Sequence, residues 1–171
     1  VELREFTAKI ELADWVNMKI GNPKKPFGSE QMADQYELET IDRSIVHRSL
    51  SPLGYVERSP SLMFYHNYKE KDSGSSPIGY HLMLFKDNSL GYGIVGRLSY
   101  FVTPDWSIST SLQEQGRTGR DPTTAFGATA DLTYETKKEK LVLEGVVAQD
   151  PNEDIRLQQL GETSSVYSAG A

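Results

Sequence analysis

The sequence predicts an all-β chain, an antiparallel transmembrane β-barrel segment of about eight strands. Three observations carry that prediction. The dominant hydrophobic period is two along most of the chain, the spacing of strands with one apolar and one polar face. The faces opposite the apolar ones are rich in Lys, Glu, Asn, Ser, Thr, Asp and Arg, which suits a wet lumen. Aromatic residues gather near strand ends, and tight turns contrast with long connections. Interfacial girdles and two unequal rims are expected of an outer-membrane barrel.

Each strand is legible in turn. Phe6, Ala8, Ile10 and Leu12 alternate with Thr7, Lys9 and Glu11. The turn Ala13-Asp14-Trp15 leads into Val16, Met18 and Ile20, which alternate with Asn17, Lys19 and Gly21. A long connection over 22–60 shows no steady period and carries many charges. Leu62, Phe64, His66 and Tyr68 share the next face, then Ile78, Tyr80, Leu82 and Leu84, then Tyr92, Ile94, Leu98 and Tyr100. Thr103-Pro104-Asp105-Trp106 forms a short turn before Ile108, Thr110 and Leu112. Phe126, Ala128, Ala130, Leu132 and Tyr134 come next, and a polar turn over 135–140 precedes a last strand over 141–149. No helix is expected. Tight turns at Asp14-Trp15, Pro104-Asp105 and 136–139 belong on one rim, and connections at 22–60, 113–124 and 150 onward on the other. Trp15, Tyr55, Tyr68, Tyr80, Tyr92, Tyr100, Trp106 and Tyr134 are read as interfacial aromatics. Ser51-Pro52-Leu53-Gly54-Tyr55, Ser76-Pro77-Ile78-Gly79-Tyr80 and Ser89-Leu90-Gly91-Tyr92 are read as a reused strand-entry device, in which Gly gives the bend and Tyr marks the interface.

Composition narrows the classes. The 171 residues suffice for one domain. A net charge of -6 and the lack of a basic stripe argue against a nucleic-acid partner. Without cysteine there is neither a disulfide framework nor a thiolate metal site. No apolar run approaches the roughly 20 residues of a transmembrane helix. No signal peptide precedes Val1, so a trimmed chain is expected.

The stretch "KIGNPKKPFGSEQMADQYELETIDRSIVHRSLSP", residues 19–52, resembles the signature region of the phosphate-selective porin O and P family. Gly21, Lys24, Lys25, Pro26, Phe27, Gly28, Glu30, Asp42, Arg43 and Ser44 carry the resemblance, and "YFVTPDWSISTSLQ" over 100–113 shares the family's strand–turn–strand style. The resemblance implies a homotrimer of sixteen-stranded barrels in the bacterial outer membrane, each with loops folded inward and a lumen lined by arginine and lysine. This chain is then about half of one barrel. A fragment is expected, because the chain ends in Tyr167-Ser168-Ala169-Gly170-Ala171 without a terminal aromatic. Residues 1–171 form a single barrel segment, with 22–60 folded into the lumen.

On that reading the chain is a porin for passive diffusion of small solutes, with phosphate-like anions favoured. Its surroundings are outer-membrane lipid, and no cofactor is expected. Pro23 and Pro26 fix φ and remove backbone donors, so the strand ladder stops and Lys24 and Lys25 leave it stiffly. An anion crossing a constriction sheds water that cationic donors must replace. Arg donates in a planar fork, whereas Lys acts as a point charge. The expected anion-binding residues are Lys24, Lys25, Arg43, Arg48 and Arg58 in the loop, with Lys9, Lys19 and Arg97 on polar strand faces. Glu30, Asp34, Glu37, Glu39, Asp42 and Glu57 lie in the same segment and can pair with these cations or reverse the selectivity. Proline-flanked lysines also protect sheet edges from unwanted pairing.

Other chemistries fail on spacing. His47, His66 and His81 lack metal-ligand spacing. Asp150-Pro151-Asn152-Glu153-Asp154 opens like a calcium loop, but Ile155 and Gly161 stand where Gly and Glu are needed. Gln115-Gly116-Arg117-Thr118-Gly119-Arg120 lacks the Walker spacing. No Gly-x-Ser-x-Gly elbow is present, and Glu135 and Glu139 lie in a turn with nothing to raise a pKa. No enzyme is read here. Alternation alone leaves two rivals open: a soluble or periplasmic β-sandwich that binds a ligand or partner through its loops, and a closed structural outer-membrane barrel.

Overall fold

The structure, a computed structural model, describes residues 6–32, 45–67, 77–87, 91–116, 124–136, 139–149 and 168–170. Its strands are β1 (Thr7–Ala13), β2 (Val16–Gly21), β3 (Ser61–His66), β4 (Ile78–Asp87), β5 (Gly91–Phe101), β6 (Trp106–Gly116), β7 (Thr124–Glu135), β8 (Lys140–Ala148) and β9 (Ser168–Gly170). They form one antiparallel sheet in strict sequence order, β1 to β9. β1 to β8 are the eight expected strands, and β9 is a ninth. Its Ser-Ala-Gly sequence is too short and too small to show alternation. The sheet is open, since β1 and β9 do not pair with each other.

Register sorts the side chains into two faces. In an antiparallel sheet, directly opposed residues share a face. One row reads Lys9, Lys19, Met63, Met83, Val95, Gln113, Gly127 and Ala148 across eight strands. The adjacent row on the other face includes Leu82, Gly96, Leu112, Ala128 and Val147. The only register shift between these strands is a bulge between Glu11 and Ala13.

The face away from the 22–60 segment exposes large apolar side chains, and the covered face buries a mixture of polar and apolar ones. Ser111 is 0% and Gln113 2% exposed, whereas Leu112 between them is 64% exposed. Arg97, Ser109, Gln115, Thr129 and Asp131 are also buried, while Leu82, Leu84, Leu98, Ile108, Phe126, Leu143 and Val147 are exposed. The covering material is the connection between β2 and β3. Its described parts contain two short helices, α1 (Ser29–Met32) and α2 (Ile45–Leu50), where no helix was expected. Neither is long enough to reveal a 3.6-residue period. No helix among the described residues is long and apolar enough to cross a membrane.

The turn ends of the sheet are unequal, with two departures from expectation. The tight turns at 14–15, 102–105 and 136–139 share one end, and 22–60, 117–123 and 149–167 share the other. However, the connection 67–77 joins the tight-turn end and the brief 88–90 joins the other. At the tight-turn end, Thr103 accepts Trp106 N–H through its carbonyl at 3.3 Å and through Oγ1 at 3.1 Å. Trp106 and Tyr134 rings lie 4.8 Å apart, and Tyr80 Oη donates to Trp15 O at 2.9 Å. Tyr80, Tyr100, Trp106 and Tyr134 therefore form an outward aromatic group at this end. Tyr55 does not join them. It is fully buried against the opposite face, and Tyr68 lies outside the described residues.

Candidate functional site

The site is the polar face of the sheet with the segment that folds onto it. Local sequence explains how the segment leaves β2. Gly21 has φ +137°, and a Cβ there would overlap Phe6 O, which accepts Asn22 N–H at 2.9 Å. Only glycine allows so close a backbone approach at that φ. Pro23 O then accepts Ser59 N–H at 3.4 Å, and Lys24 pairs with Arg58 in an isolated antiparallel bridge. The two limbs of the connection therefore zip together as they cross the sheet.

Apolar side chains hold the zipped limbs down. Phe27, Leu50, Tyr55 and Val56 pack with Met63, Met83, Phe85, Val95, Val146 and Ala148. Phe27 and Tyr55 rings meet at 5.2 Å. Full burial of each such side chain contributes on the order of 1.5–3 kcal/mol. Gly127 on β7 provides the space: a Cβ there would fall inside the Tyr55 ring and crowd Phe27. A glycine within a strand marks such an approach.

The buried polar residues complete the dock, as groups removed from water must be bonded. Gln115 Nε2 donates to Leu53 O at 2.7 Å, and Gln113 Nε2 to Gln115 Oε1 at 2.9 Å. Tyr55 Oη donates to Gln149 O at 3.0 Å. Gly28, at φ +83°, leaves room for Glu144, whose carboxylate accepts Ser29 N–H at 3.1 Å and Ser29 Oγ–H at 3.0 Å. Ser111 Oγ accepts Gly28 N–H at 3.4 Å and an Arg97 N–H at 3.0 Å. Arg97 also donates to Asp131 Oδ1 at 2.9 Å and forms an ion pair with it, 2.8 Å from Oδ2. Asp131 stands directly opposite Glu144 in register, so Arg97 offsets a like-charge contact.

The predicted cations have different fates. Lys9, Lys19 and Arg97 lie on the polar face, as expected. Lys9 is exposed and directly opposite half-buried Lys19, whose ammonium sits 5.1 Å above the Tyr65 ring. Arg97 is committed to Asp131 and Ser111. Lys24 and Arg58 are brought together, Arg48 is exposed on α2, and Arg43 lies outside the described residues. Lys25 is fully buried. Its Nζ donates to Gly54 O at 2.6 Å and lies 4.0 Å from the Phe85 ring centroid. It joins the two limbs of the segment. Lys25→Met, which keeps the stem but loses the donor and charge, is expected to lower stability by about 1–3 kcal/mol, read as a fall in the denaturation midpoint.

Glu57 is a carboxylate on the second limb of the segment. It holds φ +107°, an uncommon backbone for a non-glycine residue. Its carbonyl accepts Lys25 N–H at 3.0 Å and Gln31 Nε2–H at 3.1 Å, and its carboxylate accepts the Ser51 hydroxyl. Gln31 Oε1 must then accept from His47 Nε2, 2.7 Å away. Asp34, Glu37, Glu39 and Asp42 lie outside the described residues. Sequence reasoning missed Tyr55, Gln113, Gln115, Asp131, Glu144 and Gly28 as docking residues. Gly127 carried a local signal, being a glycine within a strand, a feature it shares with Gly79, Gly93, Gly96 and Gly145. No group of three or more metal-ligating side chains occurs among the described residues.

No family model, no curated protein and no solved structure matches the chain.

Proposed function

We propose that the chain is a barrel segment of a bacterial outer-membrane porin, in which 22–60 narrows the lumen and small solutes diffuse passively, anions such as phosphate being favoured. The observation that carries this reading is the exposure of large apolar side chains over the face away from the segment. A water-soluble monomer rarely exposes a contiguous apolar patch beyond a few hundred Å², whereas a membrane barrel turns its apolar face to lipid and its polar face inward. Strand length agrees over β4 to β8, with 10, 11, 11, 12 and 9 residues against the ~9–11 of a tilted membrane strand, while β1, β2 and β3 have 7, 6 and 6. The outward aromatic group at the tight-turn end suits a headgroup boundary. The homotrimer and the sixteen-stranded whole rest on the resemblance alone.

A second reading, a barrel without a through-channel, is favoured by the dry cluster around Phe27 and Tyr55. Conductance separates the two. Full-length protein in a planar bilayer under a potassium chloride gradient is expected to reverse on the anion side, with phosphate blocking the current. Cation-side reversal assigns the constriction to the segment's carboxylates. Silence despite confirmed insertion selects the closed barrel.

A further inference from the structure

We propose that the apolar face carries a site for one phospholipid with a phosphoethanolamine headgroup. Its phosphate meets Lys86, its ammonium meets Glu114, and one acyl chain lies in a groove beside them. This rests on the reading that the apolar face is turned to lipid, and it names the lipid that face selects. Charge placement is the first argument. Among the described strand residues of this face, Lys86 and Glu114 are the charged ones. Lys86 stands opposite Tyr92, and Glu114 opposite both Ile94 and Phe126. Both are exposed, and both lie at the end of the sheet that carries 22–60. A charge facing lipid is costly at mid-depth and tolerated near the boundary, which sets this end at headgroup level. Tyr92 suits the same level: it is 64% exposed, and Lys86 Nζ lies 5.7 Å from its ring centroid.

The two charges have opposite sign and stand on β4 and β6, about 10 Å apart at the ~4.8 Å spacing of strands. A zwitterion between them satisfies both. A purely anionic headgroup leaves Glu114 against a like charge. A primary ammonium donates charge-assisted hydrogen bonds to the carboxylate, which a quaternary one cannot do, and Lys86 serves the phosphate as a point charge. The groove is the second argument. Toward the middle of the sheet, the row Leu82, Gly96, Leu112, Ala128 and Val147 alternates large and small across five strands. It forms a groove of about 490 Å³ that extends to Glu114 and Phe126. A Cβ on Gly96 would meet only Leu82 Cδ1, at 3.9 Å, so the space above this glycine is open. An acyl chain seated there is touched on both sides, and such contacts add up. Glu114 belongs to both the groove and the charge pair, so the chain site and the headgroup site are continuous.

The test offers full-length protein in detergent equal amounts of phosphatidylethanolamine, phosphatidylcholine and phosphatidylglycerol, and native mass spectrometry counts the lipids retained. Phosphatidylethanolamine is expected to exceed phosphatidylglycerol by about five-fold, the Coulomb effect of a unit charge near 4 Å in water, and to exceed phosphatidylcholine by less. Glu114→Gln is expected to erase the preference over phosphatidylglycerol. Lys86→Gln is expected to lower retention of both, and Gly96→Leu, which fills the groove, to lower all three. Equal retention of the three lipids, or a preference that Glu114→Gln leaves unchanged, overturns the headgroup site. Phosphatidylglycerol retained above the others assigns the contact to Lys86 alone and overturns it too. In each of these cases, protein that still inserts into vesicles leaves the lipid-facing reading standing. Protein that stays dispersed without detergent or lipid overturns both.

Discussion

Gly127→Val is expected to lift the inward segment off the sheet. The added side chain takes the volume of the Tyr55 ring edge and of Phe27, and neither can move aside. Tyr55 is anchored by Gln149 O, and Phe27 is walled by the buried cluster. Overpacking of this kind costs about 1–3 kcal/mol. Once the pair lifts, Phe27 and Tyr55 each lose on the order of 1.5–3 kcal/mol of burial. Limited proteolysis should then cut within 22–60 at a rate well above that of the parent protein, and a conducting channel should widen. Gly145→Ala is the matched control, as a Cβ there meets nothing within 4 Å. Equal protease resistance in Gly127→Val and Gly145→Ala would show that the dock does not depend on this contact.

The second large effect is at the buried ion pair. Arg97→Met leaves Asp131 uncompensated and directly opposite Glu144. Breaking one partner of such a pair costs about 3–5 kcal/mol. The double variant Arg97→Met with Asp131→Leu removes both charges and should recover much of that loss, because a well-packed apolar pair often replaces a buried ion pair at little cost. Urea unfolding of the refolded protein in detergent, compared across the two single variants and the double one, reads the coupling directly. Additive losses would mean that Arg97 and Asp131 act independently.

The sheet was legible in the sequence, and the inward fold of 22–60 was expected from the resemblance, but the contacts of the dock were not legible, for a physical reason. Alternation is a local property, so Leu98, Ile108 and Leu112 declare a face without knowledge of their neighbours. β1 to β8 follow from it, as does the placement of Lys9, Lys19 and Arg97 on the polar side. Docking depends on contacts distant in sequence. Lys25 and Gly54 meet through a hairpin whose closure no short motif announces, and the paired lysines between prolines look the same whether exposed or buried. Tyr55 follows a Gly, as Tyr80 and Tyr92 do on the outward face, yet it sits inside the fold. Gly127 was one available clue, since a glycine on the polar face of a strand asks what approaches it.

The most direct test of the central claim, that the apolar face is turned to lipid, is an accessibility scan along β6. Single cysteines replace residues 108 to 113 one at a time. Each carries an environment-sensitive fluorophore, and quenching by brominated lipid is measured in vesicles. The account predicts a period of two: probes at Ile108, Thr110 and Leu112 quenched, and probes at Ser109, Ser111 and Gln113 spared. Uniform quenching, or protein that remains dispersed without detergent or lipid, would contradict it.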